Sequence, residues 1–209
     1  MPGFEDWSGR TFKQINLNNT VWKEADLVNA RFSGRIDGLV INDIEVAPLI
    51  GAEMDRRFPE RRKLRPQSHD DAADAWAVIE SLWSASKERA ASADEAVLQT
   101  RPEEDEFSWC ESFRHLIFVT DAWVSKNALG VEDWHPWGMP PSFWPPPDGV
   151  DVSATPSWSD VVDAREGRMA LVRQHLEAID LSCLRVVLGE EWAHNWFANR
   201  DLDQLSSSV

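Results

Sequence analysis

A chain of 209 residues is long enough for one ordinary domain, or for a small domain beside a larger one. Its formal charge of −15 is uneven: residues 1–66 carry 11 Lys/Arg against 10 Asp/Glu, and the remainder carries 10 against 26. So acidic a body repels phosphate backbones and argues against a nucleic-acid partner. Two distant cysteines, no basic-then-apolar leader and no run near the ~20 apolar residues of a spanning helix argue against a disulfide framework, secretion and a membrane partner. A cytoplasmic setting fits these features best. The chain has twelve Trp, nine Phe and no Tyr, and several of the amphipathic Trp rings are expected to line a groove or a contact between domains.

The first segment carries a repeat. Trp7, Phe12, Leu17, Trp22, Leu27 and Phe32 recur every five residues. It reads either as a short repeat stack, too small to bury a core unaided, or as an irregular strand-rich arm. The period breaks after Phe32, and residues 36–46 read as two short strands around Asn42-Asp43, a two-residue hairpin turn. Residues 47–58 read as a short helix with Pro48 near its first turn. Residues 59–66, with Arg61, Arg62, Lys63 and Arg65, read as a linker. Its basic cluster is explained more simply as a solvated connector facing an acidic body than as an anion site. The expected division is an arm with hairpin over 1–46, a helix and linker over 47–66, and a helical bundle over 67–209.

Four long amphipathic helices are expected in the bundle. Capping-box patterns at Ser68–Asp71, Ser108–Glu111 and Ser157–Asp160 open helices over about 70–92, 108–129 and 157–179, the second stopped by Gly130. The first buries Ala72, Trp76, Ile79, Leu82 and Trp83. The second buries Trp109, Phe113, Leu116, Thr120, Trp123 and Val124, and the third Val162, Met169, Val172, Leu176 and Ile179. Between the second and third, residues 131–156 hold seven prolines, four tryptophan and phenylalanine rings and His135. Proline excludes helix and the rings need burial, so this stretch reads as an ordered flap over the bundle.

The last helix, about 181–205, carries the most informative chemistry. At 100° per residue, Leu184, Val187, Leu188, Glu191, Asn195, Ala198 and Leu202 share one face. A carboxylate inside an apolar stripe is costly unless it is paired or metal-bound. His194 flanks this face with Glu190 one turn earlier, a spacing at which both reach one ion. Two readings stay open: a metal held with His115 of the second helix, or a buried His115–Glu191 couple beside a rim pair of Glu190 and His194.

Two passages carry a resemblance: Phe107 to Trp123, which contains His115, and Cys183 to Leu202, which contains Glu190, Glu191 and His194. Together they resemble the DinB-like superfamily, and Ala25-Asp26-Leu27-Val28-Asn29 resembles a unit of pentapeptide repeats. The resemblance implies a mainly α protein, a DinB-like four-helix bundle of up-down-down-up order with a small N-terminal β arm. It also implies a divalent metal, zinc or nickel, held by three histidines, and enzymes that use low-molecular-weight thiols to transfer or isomerise small-molecule substrates. His115 and His194 match two of the ligands. The third falls on Glu190, a departure from histidine, although carboxylate oxygen is an acceptable donor. The alignment points to Glu190 as the inward acid and the apolar stripe to Glu191, so the expected metal set is His115, Glu190 or Glu191, and His194.

The resemblance thus implies a metal-dependent S-transferase or hydrolase acting on a small molecule; a non-catalytic bundle that binds a small molecule or a partner is the alternative. Bundles of this superfamily are often homodimers, and self-association through the repeat arm is a further expectation. Asp201, near the face of His194, is expected to orient a ligand. His135 reads as packing, His69 and His175 as solvated, and Cys110 and Cys183 as inert thiols. No individual catalytic residue is assigned.

Overall fold

The structure, a computed structural model, describes residues 5–104 and 106–206. The ends of the expected arm and bundle, residues 1–4 and 207–209, lie outside the described residues. The chain divides into two units, Met1–Ala47 and Pro48–Val209.

In the first unit the five-residue period is also a backbone property. Gly9, Gln14, Asn19, Glu24, Asn29 and Gly34 all have positive φ, one in every five residues. Every second step is a hydrogen-bonded turn, closed by Arg10 N to Trp7 O (3.1 Å), Thr20 N to Leu17 O (3.2 Å) and Ala30 N to Leu27 O (3.0 Å). Asp6, Asn16 and Asp26 begin these turns, each side chain accepting from the backbone two residues on, which is why short polar residues recur there. The Trp7 ring packs on Phe12 and Trp22 at 5.3 and 5.6 Å. The unit ends in the hairpin, β1 (Val40–Ile41) paired antiparallel with β2 (Ile44–Glu45). Asn42 and Asp43 turn it with φ of 49° and 64°, the left-handed pair that a twisted two-residue turn requires.

The helix α1 (Ala47–Arg57) is braced by Glu53, whose carboxylate accepts from Arg56 and Arg57 at 2.7 Å each. The expected linker is corrected here. Pro59–Leu64 forms a 3-10 helix packed on the first and last long helices, with Leu64 and Pro66 buried. One buried leucine, with Pro66 just beyond, is enough to anchor so short an element, although it makes no periodic stripe.

The long helices are α2 (His69–Ala90), α4 (Trp109–Thr120), α5 (Trp158–His175) and α6 (Leu181–Ser206), with a short α3 (Glu95–Gln99) before α4. Capping boxes at Ser68/Asp71 and Ser108/Glu111 are both formed, and Ser157 caps α5. α2 packs on α6, and α4 packs on α5 and α6. At the centre, Trp83, Trp109, Phe113 and Trp158 meet edge to face, with Trp83–Phe113 at 4.9 Å and Phe113–Trp158 at 4.8 Å. Among the described residues, no helix is long and apolar enough to cross a membrane.

Three expectations are revised. The second long helix does not stay α-helical to Leu129: it becomes π-helical over Asp121–Ala128, and Leu129 N reaches Val124 O at 2.9 Å. Almost all of α4 is buried rather than one stripe, because the flap covers its other side. On α5 the buried line is Val161, Arg165, Met169 and Val172, so Val161 rather than the expected Val162 faces the core and an arginine joins it there.

The flap is tied down by Arg114. Its guanidinium donates to the carbonyls of Trp137 (2.9 Å), Ala154 (2.6 Å), Asp151 (2.9 Å) and Val152 (3.2 Å). Trp134 stacks on Phe118 at 5.3 Å and Trp144 meets it edge-on. Gly138 lets the flap approach closely, since a Cβ there would meet the His135 carbonyl at 3.2 Å and Phe118 Cβ at 3.5 Å. Arg114→Lys keeps the charge but loses the planar fork. We expect a cost of about 3 kcal/mol in urea unfolding, with faster amide exchange confined to 131–156. Equal exchange in flap and helices would count against this role.

Candidate metal centre

Every stripe position of α6 is buried: Leu184, Val187, Leu188, Glu191, Asn195, Ala198 and Leu202. The two polar members are satisfied across the core. Asn195 donates to Ser86 Oγ of α2 at 2.9 Å. Glu191 accepts from Trp83 Nε1 at 2.7 Å and forms an ion pair with Arg165. Glu191 therefore does not face His115 or His194. Its carboxylate serves a buried ion pair, and as a metal ligand it is corrected. Glu191 is buried and Glu190 half-buried, and one residue of helix turns them about 100° apart.

Glu190 is the acid that meets the histidines. Its Oε2 lies 3.7 Å from His115 Nε2 and 3.6 Å from His194 Nε2. The two imidazoles are 4.8 Å apart by ring centroids. One donor atom from each of the three residues falls within 4.8 Å of the others. Phe107 stacks on His194 at 5.9 Å and meets His115 at a tilt at 5.3 Å, and Phe118 lies 6.5 Å from His115. The histidine side chains are 9% and 12% exposed and Glu190 is 40% exposed, so the acid stands at the mouth.

The arrangement of donors suits metal coordination. His115 Nδ1 lies 2.9 Å from the Met139 carbonyl oxygen of the flap. A carbonyl can only accept, so Nδ1 donates there, and Nε2 is the ring atom that faces Glu190. His194 is pushed down to about 3, by burial first and then by the charges of His115 and Arg165, against the pull of Glu190. The His115 contact, by hydrogen bonding and then by charge, holds the Glu190 carboxyl below its ordinary value, while burial works the other way. At 3.7 Å that contact is electrostatic rather than a closed hydrogen bond.

Donors about 2.0–2.2 Å from a tetrahedral zinc-type ion stand about 3.4 Å apart. The 3.6 and 3.7 Å contacts are close to that as they stand. The donor atoms lie within 4.8 Å of one another, so the widest separation closes by at most about 1.4 Å through side-chain adjustment. The residues thus fit a divalent ion.

The other expected residues lie elsewhere. Asp201 is buried against Arg200, whose Nε donates to it at 2.6 Å, and has no contact with the triad among those found in the described residues. The expectation that it orients a ligand is corrected. His135 packs in the flap: its Nδ1 accepts from Trp137 N at 3.1 Å and its own N–H donates to Asp121 at 2.8 Å. Asp121, at the head of the π-helical segment, also pairs with Arg168 at 2.6 Å, which explains its burial. His69 is exposed, with Nδ1 3.3 Å from the Leu176 carbonyl, and His175 is half-buried. Burial pushes the Cys110 thiol up to about 12, which leaves it unreactive. Cys183 is half-buried.

Sequence reasoning missed the ring of Phe107, the Met139 carbonyl and Arg165. The last had a readable signal: it stands four residues from both Val161 and Met169, on the buried line.

Two imidazoles and a carboxylate converging on one point within a helical core define a helical protein with a metal-binding type of side-chain group. The family model of the DinB superfamily matches residues 78–198, more than half of the chain, and the chain belongs to that superfamily. Proteins of this superfamily are typically metal-binding. The match covers all three residues of the group and leaves out the arm, α1 and the 3-10 helix. Neither the curated proteins nor the solved structures gave a match.

Proposed function

We propose that the chain is a metal-dependent enzyme acting on a small molecule. A divalent ion, zinc or nickel, is held by His115 Nε2, a Glu190 carboxylate oxygen and His194 Nε2. The observation that carries this reading is the convergence of three donor groups from two helices. When bound, such an ion supplies Lewis acidity and makes a water or thiol nucleophilic at neutral pH. The chain's residues do the remainder. Met139 fixes the His115 ring through Nδ1, and Phe107 and Phe118 exclude water from one side. Glu190 leaves an open approach through its exposed edge. With three protein donors a position remains for substrate, which suits S-transfer from a low-molecular-weight thiol, or hydrolysis. The competing reading, a non-catalytic bundle that binds a small molecule or a partner, draws on the same contacts: Glu190 pairs both histidines without an ion.

Metal analysis of protein purified without chelator separates the two. We expect about one equivalent of zinc or nickel, nearly none in His194→Ala or His115→Ala, and retention in Glu190→His. Wild-type protein that holds no metal and takes up none from added zinc or nickel would reject the enzyme.

The arm is proposed as a pentapeptide-repeat-like coil, supported by its left-handed residue in every fifth position, and as a self-association element. Deleting 1–46 is expected to delay elution from a dimer's volume to a monomer's. An unchanged oligomeric state would remove that role.

A further inference from the structure

A groove of about 390 Å³ lies between the 3-10 helix and α6, away from the face that carries Glu190 and His194. Arg61, Leu64, Arg65, Arg185, Gly189 and Trp192 are among its walls. Its charge is poorly balanced. Asp55 takes both terminal nitrogens of Arg65, at 2.8 and 3.0 Å, and is also the acid nearest Arg61, 3.2 Å from Nη1. Arg185 donates Nε and Nη2 to the Pro66 carbonyl, at 3.0 and 2.6 Å; this fixes the guanidinium but does not neutralise it. The only other nearby acid among these contacts, Glu60, accepts Trp192 Nε1 at 3.4 Å. Three guanidiniums therefore share the field of two carboxylates on an otherwise strongly acidic body.

Arg61 is the telling member. It lies over the Trp192 ring at 4.7 Å, and its Nη1 is buried without a closed hydrogen bond among the described residues. Burial, reinforced by Arg65, disfavours its cation, while Asp55 and Glu60 oppose that effect only in part. An incoming anion relieves both deficits. The groove also has an apolar wall in Leu64, Leu188 and Trp192, beside which Gly189 presents no side chain.

We propose that this groove binds a small organic oxyanion. Its carboxylate or phosphate head sits between Arg61 and Arg185, and its flat apolar body lies against Trp192 and Leu64. Guanidinium forks suit either head group. Arg61, Leu64 and Arg65 precede the residues matched by the family model, so the site is built by this chain's own extension onto α6. It does not depend on the metal reading.

Isothermal titration of the full chain, kept in chelator so that no metal competes, tests the proposal with two probes, benzoate and inorganic phosphate. We expect one or both to bind below about 10 mM, with loss of affinity at raised salt. Arg185→Met and Arg61→Met are each expected to weaken binding about tenfold or more. Arg173→Met, an exposed arginine outside the groove, should not. Benzyl alcohol, which lacks the charge, should give no heat. Benzoate alone or phosphate alone assigns the head group. Silence from both probes, or equal affinity in wild type and the arginine variants, overturns the proposal. Should Arg61→Met fail to fold, Arg185→Met decides.

Discussion

Arg165→Met is expected to destabilise the protein by about 3–5 kcal/mol, the largest single effect among the residues described. The side chains of Arg165 and Glu191 are 2% and 0% exposed and form an ion pair. Removing the guanidinium leaves a carboxylate in the core with only the Trp83 N–H for company. The pair itself is not fully satisfied, because Arg165 Nη1 is buried without a hydrogen-bond partner among the described residues. Replacing both partners should therefore recover much of the loss: Arg165→Met with Glu191→Leu is expected to be more stable than Arg165→Met alone. Urea midpoints of the two variants and the wild type measure this. A double variant no better than the single one would show that the pair holds the helices by something other than mutual neutralisation.

The second large effect is the response to acid. An imidazole pushed down to about 3 from an ordinary 6.5 refuses in the folded state a proton that the unfolded chain accepts. Stability from this source is complete above pH about 6.5 and declines as the pH falls toward 3, because the unfolded state binds the extra proton throughout that window. Glu190, whose carboxyl is also held low, adds a second decline below its ordinary value. For His194 alone the loss is about 1.4 kcal/mol per pH unit, or about 2 kcal/mol between pH 6.5 and 5. Other carboxylates titrate over the same range, so the measurement is a difference. Chelated wild type should lose this much more stability than His194→Gln between pH 7.5 and 5. Parallel curves would mean that the ring is free to take its proton in the fold.

The fate of adjacent residues shows what a linear pattern can and cannot reveal. The α6 stripe was readable because burial of a long helix repeats every three or four positions, and all seven of its positions are buried. Glu190 and Glu191 were both visible as unusual acids. Which of them met the histidines depended on α4 and α5, which bring His115 to one side and Arg165 to the other. Arg165 itself went unnoticed, because an arginine on a helix is usually solvated and its partner lies 26 residues away. The turn to π geometry at Asp121 leaves no residue-type signature, since it is a shift in hydrogen-bond register. The 3-10 helix was mistaken for a solvated linker because its charge hid the single anchoring leucine.

Arg114 and His115 are consecutive, and both grip the flap: one through four carbonyls, the other through Met139. Lifting that cover would also free Nδ1 and let the imidazole swivel out of register. On the proposed reading, a molecule admitted by that route would dismantle the centre it came to reach. The doorway that reading requires is the opposite one, beside the Glu190 carboxylate, where passage leaves the imidazole latched.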